Sequence, residues 1–129
     1  MTARHVRRLL PALGILYLLG SGCAKAPPEL TPPAQQAFYK THVLKGLDLL
    51  RDFAIDAEAT TPKVLSTSAT RVVVQYHQSA VKVMQAADSG WQAVVLSSLD
   101  ETLLRLPAGD RQKVAPYAAL VKSVIQEIH

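Results

Sequence analysis

From Ala34 to the C-terminus, apolar side chains return every three or four residues, and no strand-like alternation runs for more than a few positions. Such spacing puts the apolar residues on one side of a helix. In the first segment Tyr39, Val43, Leu47, Leu50, Ala54 and Ala57 share a face, and Thr41, Lys45, Asp48, Asp52 and Asp56 occupy the opposite one. Thr31 with Pro32 supplies an N-cap and a first-turn proline, and Thr60-Thr61-Pro62 stops the segment near Ala59. The second stripe is Ala69, Val72, Tyr76, Ala80, Val83 and Ala87. Its start is at Thr61-Pro62 or, if the hydroxyls of Ser66-Thr67-Ser68 bond locally, a few residues later. Val72-Val73-Val74 resembles a buried strand in composition, but no second strand exists to pair with it. Asp88-Ser89-Gly90 breaks the chain, and Ser89 with Gln92 reads as a capping box for a third helix with the stripe Trp91, Val95, Leu99, Leu103 and Leu106. Pro107 to Asp110 ends that helix. A turn through Ala115 then leads to a last helix with Pro116 at its first position and Tyr117, Leu120, Val121, Val124 and Ile128 as its stripe.

Four amphipathic segments joined by short turns predict an all-α, up-and-down bundle of about four helices over residues 34–129. Beyond residue 34, glycine occurs only at 46, 90 and 109. A chain of 129 residues holds one small domain with a modest core. With 49% hydrophobic and 19% charged residues it is not a disordered chain. A single cysteine excludes a disulfide framework and a multi-thiolate zinc site. Neither an internal repeat nor a sustained heptad is present.

The formal net charge of +4 points at first to an anionic partner. Its distribution removes that argument. Arg4, Arg7 and Arg8 lie in the first eight residues, which leaves eleven basic against ten acidic residues, and every acid lies at Glu29 or beyond. Nucleic-acid binding is therefore not expected of the remaining chain. Residues 1–22 have a cationic start, an apolar run from Leu9 to Leu19 and the small residues Gly20, Ser21 and Gly22, the three zones of a secretory signal. The stretch between Arg8 and Lys25 falls short of the roughly 20 apolar residues that span a bilayer, and Pro11 and the glycines weaken it as a helix.

The unique Cys23 follows Gly22 directly. The run Leu19-Gly20-Ser21-Gly22-Cys23 resembles the signal of bacterial lipoproteins, a resemblance confined to about the first 24 residues. That class usually carries Leu three residues before the cysteine, where this chain has Gly20. The resemblance implies cleavage between Gly22 and Cys23, lipidation of the Cys23 thiol and a membrane partner engaged through those acyl chains. With Ala24 rather than Asp after the cysteine, it implies an outer-membrane destination facing the periplasm if the cell is Gram-negative. One acyl chain holds a protein only marginally and two or three hold it firmly. A thiol consumed in this way is neither a nucleophile nor a redox sensor.

Residues 23–33 contain four prolines, at 27, 28, 32 and 33. They read as an extended tether able to hold the domain up to roughly 30 Å from the lipid.

The chain contains no phosphate loop, GxSxG, HExxH or dinucleotide fingerprint. His42, His77 and His129 match no zinc pattern, so neither a metal nor a cofactor is expected. No catalytic residue is assigned. An enzyme reading would gain from His77 and two acidic residues converging in a pocket. Asp48, Asp52 and Asp56 share a helical face, where like charges cost a few tenths of a kcal/mol per pair. They read as a solvated face or, as the alternative, as a partner-facing patch for a divalent cation or a basic partner. Trp91, the only tryptophan, reads as a core residue covering the bundle end, with a partner-facing role as its alternative. The expectation is a non-enzymatic envelope lipoprotein acting as an interaction or structural module with a protein partner. The alternatives are a ligand- or lipid-binding bundle with an apolar cavity, and a phage-derived factor such as an outer-membrane spanin or an exclusion lipoprotein. The spanin comparison rests only on small size, signal and nearby prolines.

Overall fold

The computed structural model describes residues 26–128; Gly22, Cys23 and the whole expected export signal, residues 1–22, lie outside them, as does His129. Four helices make up the described chain: α1 (Pro32–Ala59), α2 (Thr67–Ala86), α3 (Trp91–Arg105) and α4 (Ala108–Gln126). The described residues contain no strand, and the architecture is an all-α bundle of four helices. Each helix packs on its neighbours in sequence, and α4 closes on α1.

Cross-helix pairs show that the helices run antiparallel in turn. The Thr70 hydroxyl donates to the Ala54 carbonyl, and toward the other end of the same pair the Lys40 ammonium donates to the Ala87 carbonyl. Phe53 stacks on Tyr117 at 4.2 Å between ring centroids, while Gly46 lies against Val121, one helical turn further along α4. The α1–α2 and α3–α4 turns therefore share one end of the bundle. The α2–α3 turn, the start of α1 and the end of α4 share the other.

Burial follows the predicted stripes closely in α1, where all six named residues are buried. In α2 the buried face is rotated, with Val73, His77 and Met84 inside while Val72 and Val83 are only partly covered. In α4 it shifts likewise to Val114, Ala118, Val121, Val124 and Ile125. Two core residues come from turns: Leu65 and Leu106 are 1% and 2% exposed.

Three boundaries differ from those expected. The N-cap of α3 is Gly90, at φ +76° and without a side-chain bond, so the Ser89–Gln92 box does not form. A left-handed cap suits a residue without a Cβ, and it moves Ser89 one place out of register. Pro116 lies inside α4, which begins eight residues earlier. The carbonyl it leaves without an amide donor belongs to Gln112, and both residues are exposed, so the missing bond falls on the solvent side of the helix. Third, the tether is folded over its described part. Ala26 packs against the core, the Leu30 amide bonds the Pro27 carbonyl, and Pro32-Pro33 is the first turn of α1 under a Thr31 cap.

Candidate functional site

The aspartate row of α1 is divided by what α2 presents to it. His77 is almost fully buried, and its Nε2 lies 2.7 Å from Asp48 Oδ1. A carboxylate only accepts, so the ring donates through Nε2. The guanidinium of Arg51 lies 3.7 Å from Asp48 and 3.1 Å from Asp52. Arg51 Nη1 also approaches His77 Nε2 at 3.5 Å. Two donors facing each other make no bond, so both are held by the carboxylates between them. The group clasps α1 to α2. An aspartate-oriented imidazole is also part of a hydrolytic triad; among the described residues no hydroxyl bonds His77, and little of the ring reaches solvent. Asp56, one turn further on, is partly buried.

Of the two readings of Trp91, its place in the structure is the core one rather than the partner-facing one. Its side chain is fully buried, and its indole N–H donates to Gln36 Oε1 at 3.0 Å, joining α3 to α1. Position decides this: the residue heads α3 on its inner face, where an indole fills the end of the bundle. Outside it, a shallow depression of about 490 Å³ runs along Pro32–Ala37 to Lys40 and Asp88. It is half open to solvent and is not an enclosed cavity. Among the described residues no His, Cys, Asp and Glu group of three or more is placed to hold a metal, and no helix is long and apolar enough to cross a membrane.

The feature missed in the sequence is the end formed by the α1–α2 and α3–α4 turns. Residues 54–71 and 104–115 carry five cations, Lys63, Arg71, Arg105, Arg111 and Lys113, against three acids, Asp56, Glu58 and Asp110. Four of the cations are exposed, and Arg71 and Arg105 make no ion pair among the described residues. Leu104, 72% exposed, and Val64 stand among them. The two turns are locked together. Ser66 caps α2 and donates to Asp110 at 2.8 Å, while the Lys113 ammonium donates to the Val64 carbonyl at 2.7 Å. Arg111 donates to the carbonyls of Leu103 and Leu106 at 2.8 and 3.0 Å, closing the C-terminus of α3. The amides of Val64 and Leu65 return to the Ala57 carbonyl. The result is a pre-ordered basic platform with aliphatic side chains on its surface. The opposite end, residues 26–40, 82–92 and 121–128, carries three cations and three acids.

The signal for this platform is present in the sequence as cations flanking the first and third turns. It becomes visible only when antiparallel topology brings those turns together. Comparison with protein-family models, curated proteins and solved structures returned no match.

Proposed function

We propose that the protein is a lipid-anchored envelope lipoprotein whose helical bundle is a non-enzymatic docking module. The observation that carries this reading is Cys23, the only cysteine, standing directly after the small-residue end of an export signal. Diacylglyceryl attachment at its thiol holds the domain at a membrane, and the basic platform supports docking of an acidic protein in the envelope. Apolar residues within a charged rim are the usual composition of a binding surface, and opposite charge steers the encounter.

Metabolic labelling with a fatty-acid probe tests the anchor. Label is expected in the wild type and lost in Cys23→Ser; equal labelling of the two overturns the reading. Docking is tested in cells with a photo-crosslinking residue at Leu104 or at Val94, an exposed aliphatic residue near the opposite end. A protein adduct is expected at Leu104, abolished by Arg71→Glu with Arg105→Glu. Equal adducts at both positions, or an adduct insensitive to the charge reversal, argues against the platform.

A further inference from the structure

The lipoprotein reading leaves open how the domain meets the membrane, and an eleven-residue tether would let it take any orientation. The described chain removes most of that tether. Ala26 already packs against the core at the end formed by the α2–α3 turn, and the Pro27–Leu30 turn, with the Gln35 side chain bonded to the Leu30 carbonyl, leads straight into α1. Three Cα steps separate Cys23 from Ala26, a reach of about 11 Å at most. We infer that the bundle is seated end-on, with the α2–α3 turn and the start of α1 against the lipid headgroups.

This rests on lipidation of Cys23. The seated end suits a polar headgroup zone: its charges balance, and Asp88, Ser89, Gly90, Pro32 and Pro33 form its exposed surface. No basic patch is needed there, because the acyl chains supply the hold. α1, with 28 residues, is about 42 Å long, so the basic platform stands roughly that far from the membrane. The platform is out of reach of the anionic lipids beside the anchor and faces a partner in the space beyond. A short linker thus sets both which surface is hidden and which is offered.

The test uses the acylated chain in phosphatidylethanolamine–phosphatidylglycerol vesicles containing headgroup-nitroxide lipid. A fluorophore is placed on Ser89→Cys at the near turn or on Gln112→Cys at the far end; with Cys23 acylated, the introduced thiol is the only one to react. Quenching is expected to be severalfold stronger at residue 89 than at 112. A flexible Gly-Ser insertion of about twelve residues between Lys25 and Ala26, with a mean span near 20 Å, is expected to narrow the difference. Equal quenching at both positions in the uninserted chain, or a difference the insertion leaves unchanged, overturns the seated geometry alone. Mass spectrometry of the same samples separates the two claims: a chain without acyl groups overturns the anchor, and the inference with it.

Discussion

The two ends of the bundle are held by different physics. At the end where α1 begins, a fully buried indole spans α1 and α3, Lys40 ties α1 to the last carbonyl before Asp88, and the charges cancel. At the other end the turns are sewn by a hydroxyl bond to a carboxylate and by guanidinium and ammonium bonds to carbonyls, while cations outnumber acids by five to three. The first arrangement depends on volume filled in the dark of the core. The second satisfies backbone groups at the surface and leaves charge displayed. A surface so assembled tolerates altered charge without unfolding, as a docking face must.

Substitutions break this contrast to different degrees. Trp91→Ala removes the near-end keystone and is expected to cost about 3–5 kcal/mol, a large part of the roughly 5–15 kcal/mol that small domains possess. Urea denaturation measures it. At the far end Arg111→Ala leaves the Leu103 and Leu106 carbonyls without their charged donor, for an expected loss of about 1.5–3 kcal/mol by the same method. Between the ends, the Tyr76 phenol donates to the Val95 carbonyl at 2.9 Å, and burial, with Asp100 adding to it, pushes its ionisation well above the ordinary range. Tyr76→Phe is expected to lower stability by about 1 kcal/mol. Arg71→Glu with Arg105→Glu should move stability by less than about 0.5 kcal/mol while abolishing the Leu104 adduct.

The smallest effect is one of pH. Burial, with the nearby charge of Lys45 adding to it, lowers the pKa of His42 on α1 below the ordinary imidazole value of 6.5. As pH falls, the unfolded chain therefore takes up this proton before the folded one does. The contribution is complete above pH 6.5 and is lost as pH drops from there through the lowered value. His42→Gln should flatten the dependence of Tm on pH in that window and leave it unchanged at neutral pH. An unaltered slope would place the acid sensitivity elsewhere.

Much of the fold was legible because helix faces are written at short range. Six residues at three- and four-residue spacing foretell the whole buried face of α1, and Thr31-Pro32 foretells its start. The errors arise where neighbours outside the segment decide. Val72 and Val83 are as apolar as Val73 and Met84, and which pair turns inward depends on the angle at which α2 meets α1 and α3. Pro116 reads as a boundary because proline usually is one; an exposed carbonyl one turn earlier makes it tolerable inside α4. Trp91 reads as a plug for the core ahead of an anchor for a partner; its chemistry serves both, and its burial decides for the core. The aspartate row reads as one face, yet His77 from α2 and Arg51 from α1 divide it.

The four-helix pattern follows from sequence alone, as does the proposal of an export signal ending at Cys23, since each rests on residues adjacent in the chain or a helical turn apart. Tertiary structure decided the burial of Trp91, the Asp48–His77 clasp, the folding of Ala26 onto the core and the union of two distant turns into one basic surface. The physical reason is common to all four. Each is a meeting of groups far apart in the chain, and such meetings depend on how helices pack, which local spacing does not encode.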